Sequence, residues 1–154
     1  EQALLVRMAE AYHRALEEGR RSNAPDLFDP ALNHLSALAA QVRDRPLTLD
    51  PAELALTRQL LIARNHDDPD FRTVIGLTTL DLCEAVASLT LHERLDRIVE
   101  DYEALYQRTQ DSPNWGPERD RLEFVLHGVR RWGRPKEKAA AGRVVKLMRR
   151  SGPR

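Results

Sequence analysis

The chain has 154 residues, of which 42% are hydrophobic and 31% charged, and its formal net charge at pH 7 is zero. This balance is typical of one globular domain and excludes a disordered chain, and no apolar run approaches the roughly 20 residues that a membrane-spanning helix needs. The only cysteine is Cys83, which excludes an internal disulfide and a zinc site built from cysteines.

Apolar residues recur at helical spacing along the chain, and strand signals are nearly absent. The first predicted helix runs to about Arg21, and its apolar stripe consists of Leu4, Met8, Tyr12 and Leu16. The second and third helices begin at Asp29-Pro30 and Asp50-Pro51. In the third, Asp50 is the predicted N-cap and Glu53 the capping-box carboxylate that reaches back to it.

The fourth predicted helix begins at Asp68-Pro69 and is apolar on most sides through about Leu89. Such a pattern is typical of a central helix surrounded by neighbours. Cys83 lies on this helix and is predicted to be a small buried packing residue. Thr90 and Glu93 form a predicted capping box at the start of the fifth helix.

The sixth predicted helix begins at Pro117, and its apolar stripe ends at Trp132. Gly133 ends this helix, and Pro135 begins a seventh that runs to about Arg150. Short loops between helices of such length predict antiparallel neighbours. The predicted fold is therefore all-α, a compact antiparallel bundle of six to seven helices. We expect the core in the first six, with a basic C-terminal helix that either docks on the bundle or projects from it as a peripheral element.

The zero net charge conceals two oppositely charged regions. Residues 1–127 hold 14 arginines against 23 acidic residues, a net of −9, whereas residues 128–154 hold ten basic residues and one acidic, a net of +9. Such asymmetry indicates an anionic partner or the acidic region of another copy. We predict an acidic helical bundle domain over residues 1–133 and a basic C-terminal helix or tail over residues 134–154.

The basic tail predicts a nucleic-acid partner, because cations that neutralise phosphates release counterions. Such contacts hold the nucleic-acid backbone and position the protein without reading base sequence. The alternative partner is an acidic protein surface, including that of a second copy in a homo-oligomer. A membrane is not expected, since the apolar stripe of the tail lacks the aromatic and leucine content of an interfacial anchor. The predicted nucleic-acid-binding residues are Arg130, Arg131, Arg134, Lys136, Lys138, Arg143, Lys146, Arg149 and Arg150.

These patterns predict a non-enzymatic accessory or adaptor protein that contacts the nucleic-acid backbone through its C-terminal segment. The alternative is a helical protein-interaction or scaffold module whose basic tail docks on an acidic surface. The N-terminal stretch has neither a basic region nor a small-residue cleavage site, so we expect no targeting segment and a cytoplasmic location.

The stretch from Trp132 to Lys136, WGRPK, resembles the core of an AT-hook, whose Arg-Gly-Arg-Pro segment enters a narrow minor groove. Trp132 stands where the first arginine of that motif belongs, so we assign no minor-groove specificity to the segment. The tryptophan also fits the apolar stripe of the sixth helix.

A helical hydrolase or ribonuclease is a minor alternative. His34 with the dipeptide His66-Asp67 resembles the metal-binding pattern of HD-type phosphohydrolases, which implies a divalent metal held by imidazole and carboxylate groups. We favour a solvated loop in which Asp68 caps the next helix.

Two Arg-x5-His pairs, Arg7 with His13 and Arg121 with His127, resemble the pairs of HEPN-type ribonucleases, in which the histidine is the acid-base group. At this spacing the two side chains point about 120° apart around a helix. We therefore interpret them as surface polar residues, and we expect no catalytic residue, metal or cofactor.

Overall fold

The computed structural model describes residues 1–151, which form seven helices and no strand. This confirms the predicted all-α bundle. Within the described range, none of the helices is long and apolar enough to cross a lipid bilayer. In chain order the helices are α1 (Gln2–Arg21), α2 (Phe28–Ala39), α3 (Pro51–Asp67), α4 (Phe71–Ala87), α5 (Leu91–Thr109), α6 (Trp115–Trp132) and α7 (Pro135–Ser151).

Helix α4 is the centre of the bundle, because it packs against α2, α3, α5 and α6. Its all-round apolar sequence is therefore explained by neighbours on every side. Cys83 is fully buried on this helix, with its Sγ 3.6 Å from Ser36 Oγ. Burial raises the pKa of the Cys83 thiol to about 12, so the thiolate needed for reactivity does not form at neutral pH.

The buried face of α1 agrees with the predicted stripe at Leu16, but in the first turns it is displaced by one residue, from Leu4 and Met8 to Leu5 and Ala9. The residues buried against α2 are Leu5, Ala9 and Leu16, whereas Leu4 is 61% exposed. Both stripes have helical spacing, so the periodicity alone does not choose between them. Packing against α2 selects the face.

Three of the predicted helix starts are displaced, and one of them is that of α6, which begins at Trp115 and not at Pro117. Asp50 does cap α3, since its Oδ1 accepts a hydrogen bond from the Ala52 amide at 3.0 Å. Helix α4, however, begins after Asp70 and not at Asp68-Pro69, because Asp70 and Thr73 form a reciprocal capping box. Helix α2 begins at Phe28, before Asp29-Pro30, with no side-chain cap.

Neither glutamate that was predicted to close a capping box does so. The Glu53 carboxylate accepts a hydrogen bond from the ring of His34 on α2. At the start of α5, Thr90 makes no side-chain cap bond, and Glu93 is 66% exposed. Glu53 thus has a long-range partner, whereas the Oε1 of Glu93 lies 3.6 Å from Nε2 of its chain neighbour His92.

Helix α7 is part of the hydrophobic core, whereas the sequence predicts a core from the first six helices alone. It packs against α5 and α6, and it buries Ala140, Ala141, Val144, Val145 and Met148. The loop before it, Gly133-Arg134, contains the predicted domain boundary, and that division stays a prediction. The last three residues of the predicted tail, 152–154, lie outside the described residues.

Glu137 anchors the start of α7 to the start of α5. Its side chain is 2% exposed, and its two carboxylate oxygens accept hydrogen bonds from the amides of Leu91 and His92 at 3.0 and 3.2 Å. The ring nitrogen Nδ1 of His92 contacts the same carboxylate. A carboxylate suits this position because the first amides of a helix lack partners and carry partial positive charge. The N-terminus of α5 is thus capped from another helix.

A buried polar network joins α4, α5 and α6. The Thr79 hydroxyl donates to Glu118 Oε1 at 2.9 Å, and its oxygen accepts from the Tyr102 hydroxyl at 3.2 Å. Burial raises the pKa of the Glu118 carboxyl above its ordinary value, and the charge of Arg121 opposes that shift. The ionised form of Glu118 therefore opposes folding as the pH rises.

We expect Glu118→Gln to become increasingly stable relative to the wild type between pH 4 and pH 8. The unfolded chain loses the Glu118 proton at a lower pH than the folded chain, so ionisation favours unfolding above that pH. Glutamine keeps an acceptor for Thr79 and carries no charge. Urea unfolding at several pH values measures the difference. The exposed Glu100→Gln change is the control, and an equal pH trend in both variants would contradict the expectation.

Candidate nucleic-acid interface

The docking of α7 divides its surface into an apolar side and a charged side. The buried residues lie on one side, and six exposed cations, which we call the α7 cationic face, lie on the other. At about 100° per residue, these cations cover about 160° of the helix circumference. The α7 cationic face consists of Lys136, Lys138, Arg143, Lys146, Arg149 and Arg150.

Three of these cations form a row along the helix axis. Lys136, Arg143 and Arg150 are seven residues apart, so they project in nearly the same direction over a length of about 21 Å. The helix that carries them is fixed at its start by Glu137 and along its length by the core residues. The row is therefore displayed by a rigid element.

Intramolecular ion pairs neutralise little of this face. Arg149 Nε donates to Glu123 Oε1 at 2.9 Å, although the arginine side chain remains 62% exposed. Among the described residues, this is the one ion pair of the six cations. Arg150 also lines a shallow cavity with Glu100 and Glu103 of α5, so an acidic surface borders the face at that end.

The other three predicted residues lie at the junction before α7 and do not belong to this face. Arg134 Nε donates to the backbone carbonyl of Asp44 at 2.9 Å. The Arg131 guanidinium lies 5.1 Å from the Trp132 ring centroid. Arg130 is half-buried and lines a cavity between α1 and α6. Six of the nine predicted residues thus share one surface.

Trp132 does not complete the apolar stripe of α6 as predicted. Leu122, Val125 and Val129 are fully buried, but Trp132 is 36% exposed. The guanidinium of Arg43 lies 4.0 Å from the centroid of its ring. Arg43 is a loop residue that the sequence pattern does not single out. Periodicity carries no information about such a loop contact.

The predicted hydrolase residues are dispersed. His66 is 87% exposed at the end of α3, about 20 Å of helix away from Glu53, which contacts His34. The structure therefore does not bring the residues of the HD-like pattern together.

Three of the four residues in the two Arg-x5-His pairs contact residues outside their own pair. Arg121 donates to Asn33 Oδ1 at 3.0 Å, and His127 Nε2 lies 2.7 Å from Glu1 Oε1. The His13 ring lies against that of His34, with the centroids 5.0 Å apart.

Comparison with protein-family models, curated proteins and solved structures finds no match to this chain.

Proposed function

We propose that this protein is a non-enzymatic accessory protein that binds the phosphate backbone of nucleic acid through the α7 cationic face. The observation that supports this proposal most directly is the division of α7 into a buried apolar side and an exposed side with six cations. A helix that only needed to dock would not require this concentration of positive charge.

Backbone contact suits this face better than base recognition. Lysine and arginine on a rigid helix neutralise phosphates at fixed spacing, and such contacts position a protein without sequence preference. Base stacking needs a free aromatic face. Trp132 is the exposed aromatic residue nearest to α7 in sequence, and two arginines already cover its ring.

An acidic protein surface is the alternative partner. Helix α5 carries exposed acidic residues, and two of them, Glu100 and Glu103, lie beside Arg150. The α5 surface of one copy has the charge needed to receive the α7 cationic face of another. The alternative therefore predicts self-association that depends on the same cations.

We expect the triple change Lys136→Glu, Arg143→Glu and Lys146→Glu to abolish binding to a generic DNA duplex at low salt. The three side chains are exposed and make no ion pair among the described residues, so the fold should persist. Each phosphate contact contributes about one unit to the slope of log affinity against log salt. Fluorescence anisotropy of a labelled duplex and a labelled single strand, across a salt series, measures affinity and slope.

A second triple change, Arg7→Glu, Arg21→Glu and Arg108→Glu, is the matched control. It reverses three exposed arginines outside α7 and alters the net charge equally. This control should retain most of the binding. The proposal fails if the wild type binds neither nucleic acid, or if both triple variants lose binding to the same extent. Light scattering on the three proteins detects the alternative, which requires assembly to disappear only in the α7 variant.

A further inference from the structure

Two histidines and a glutamate converge in a cavity on the side of the bundle formed by α1, α2 and the start of α3. His13, His34 and Glu53 each offer a ligand atom, and these atoms all lie within 4.8 Å of one another. In the part of the chain that the structure describes, this is the only group of three or more such residues at that spacing. The three residues come from three different helices.

The cluster has a buried floor and an open rim. The side chains of His34 and Glu53 are 11% and 10% exposed, and His34 Nδ1 contacts Glu53 Oε1. His13 is exposed above them. The surrounding cavity has a volume of about 640 Å³ and is also lined by the polar residues Gln41, Thr48 and Asp50. A ligand that reaches the cavity thus meets all three groups.

We propose that His13, His34 and Glu53 bind one divalent transition-metal ion of the zinc class. Two imidazoles and a carboxylate are the ligand set of zinc sites that keep an open coordination position. Tetrahedral bonds of about 2.1 Å place ligand atoms about 3.4 Å apart, so ligand atoms that lie within 4.8 Å of one another need to approach by at most about 1.4 Å. The exposed His13 can supply most of that movement by changing its rotamer.

The remaining coordination position faces the cavity and takes water or a small anion. Cys83 takes no part, because it is fully buried on α4. Bound metal would join α1 directly to α3, two helices that each pack against α2. Metal binding therefore stabilises the folded chain and raises its melting temperature.

The test is a titration of the full chain, free of any affinity tag and stripped with a chelator, with Co²⁺ and then Zn²⁺. We expect one Co²⁺ per chain with visible absorption bands, displacement of Co²⁺ by Zn²⁺, and a higher melting temperature with Zn²⁺. His13→Ala should weaken binding by at least about 100-fold, since losing a ligand exceeds the 10–100-fold effect of losing an outer hydrogen-bond partner.

His66→Ala is the matched control, because His66 is also exposed and lies beside a carboxylate, that of Asp67. It should bind metal as the wild type does. Glu53→Gln should weaken binding while preserving an acceptor for His34. The proposal is overturned if the wild type takes up no stoichiometric metal at micromolar Zn²⁺, or if His13→Ala binds as tightly as the wild type. Nucleic-acid binding is measured separately and does not affect this outcome.

Discussion

The Glu137→Gln variant should be less stable than the wild type by about 1–4 kcal/mol. The carboxylate accepts hydrogen bonds from the Leu91 and His92 amides, and glutamine keeps only one accepting oxygen. Its NH₂ group would then face a buried N–H donor, which costs about 1–3 kcal/mol. Loss of the negative charge at the helix N-terminus adds about 0.3–1 kcal/mol. Urea unfolding measures the total, and hydrogen exchange should accelerate at the Leu91 and His92 amides.

Glu93→Gln is the matched control for this change. Glu93 lies in the first turn of the same helix, but its side chain is 66% exposed. Its Oε1 lies 3.6 Å from Nε2 of the neighbouring His92. An exposed pair of this kind contributes little, so the effect should stay within about 0.5 kcal/mol. Equal destabilisation by both variants would mean that α5 is capped locally, as its sequence predicts, and not by α7.

Glu137 also determines how the basic region is displayed. It is the single acidic residue in residues 128–154, where the charge count shows it only as the difference between ten basic residues and a net of +9. In the fold it fixes the beginning of α7 against α5, which turns the cations of the helix away from the core. Under the proposed function, a stability defect in Glu137→Gln should therefore be accompanied by weaker nucleic-acid binding, although the cations themselves are unchanged.

The helices were predictable because their signals are local. Apolar spacing, prolines and glycines are read within a few residues, and all seven helices are present as expected. One error was local, since α4 begins at the capping box of Asp70 and Thr73 and not at Asp68-Pro69. Two other errors arose where a distant partner decides. The buried face of α1 is chosen by α2, and Glu53 contacts His34 instead of its own helix N-terminus.

The candidate interface was predictable in its charge but not in its arrangement. The change of sign near residue 127 is visible in the sequence, and six of the nine predicted cations share one face. Whether α7 docks could not be read from its narrow apolar stripe, because docking depends on complementary surfaces of α5 and α6. The cluster of His13, His34 and Glu53 was missed for a related reason. Its members are about 20 residues apart along the chain, and only the packing of three helices brings them together.

Gly128→Ala should destabilise the protein by about 3 kcal/mol, even though alanine is the better helix former. Gly128 lies within α6, where a Cβ atom would stand 2.3 Å from the Val42 carbonyl oxygen and 2.9 Å from that of Ala40. Both atoms belong to the backbone that follows α2, so they cannot move aside as a flexible side chain can. Overpacking of this kind typically costs 1–3 kcal/mol, and sometimes more. The urea midpoint of the purified variant measures the loss.

Gly142→Ala should have the opposite effect and make the protein more stable. Gly142 lies in the middle of α7, and a Cβ atom there would meet nothing within 4 Å. Alanine at a free helical position stabilises by about 0.4–1 kcal/mol, chiefly because it restricts the unfolded chain. Stability changes of opposite sign at the two glycines would indicate that α6 contacts the backbone after α2 and that α7 has free space around Gly142. If both changes were stabilising, α6 would not approach Val42 as closely as the structure shows. The packing that positions the junction to α7 would then also differ.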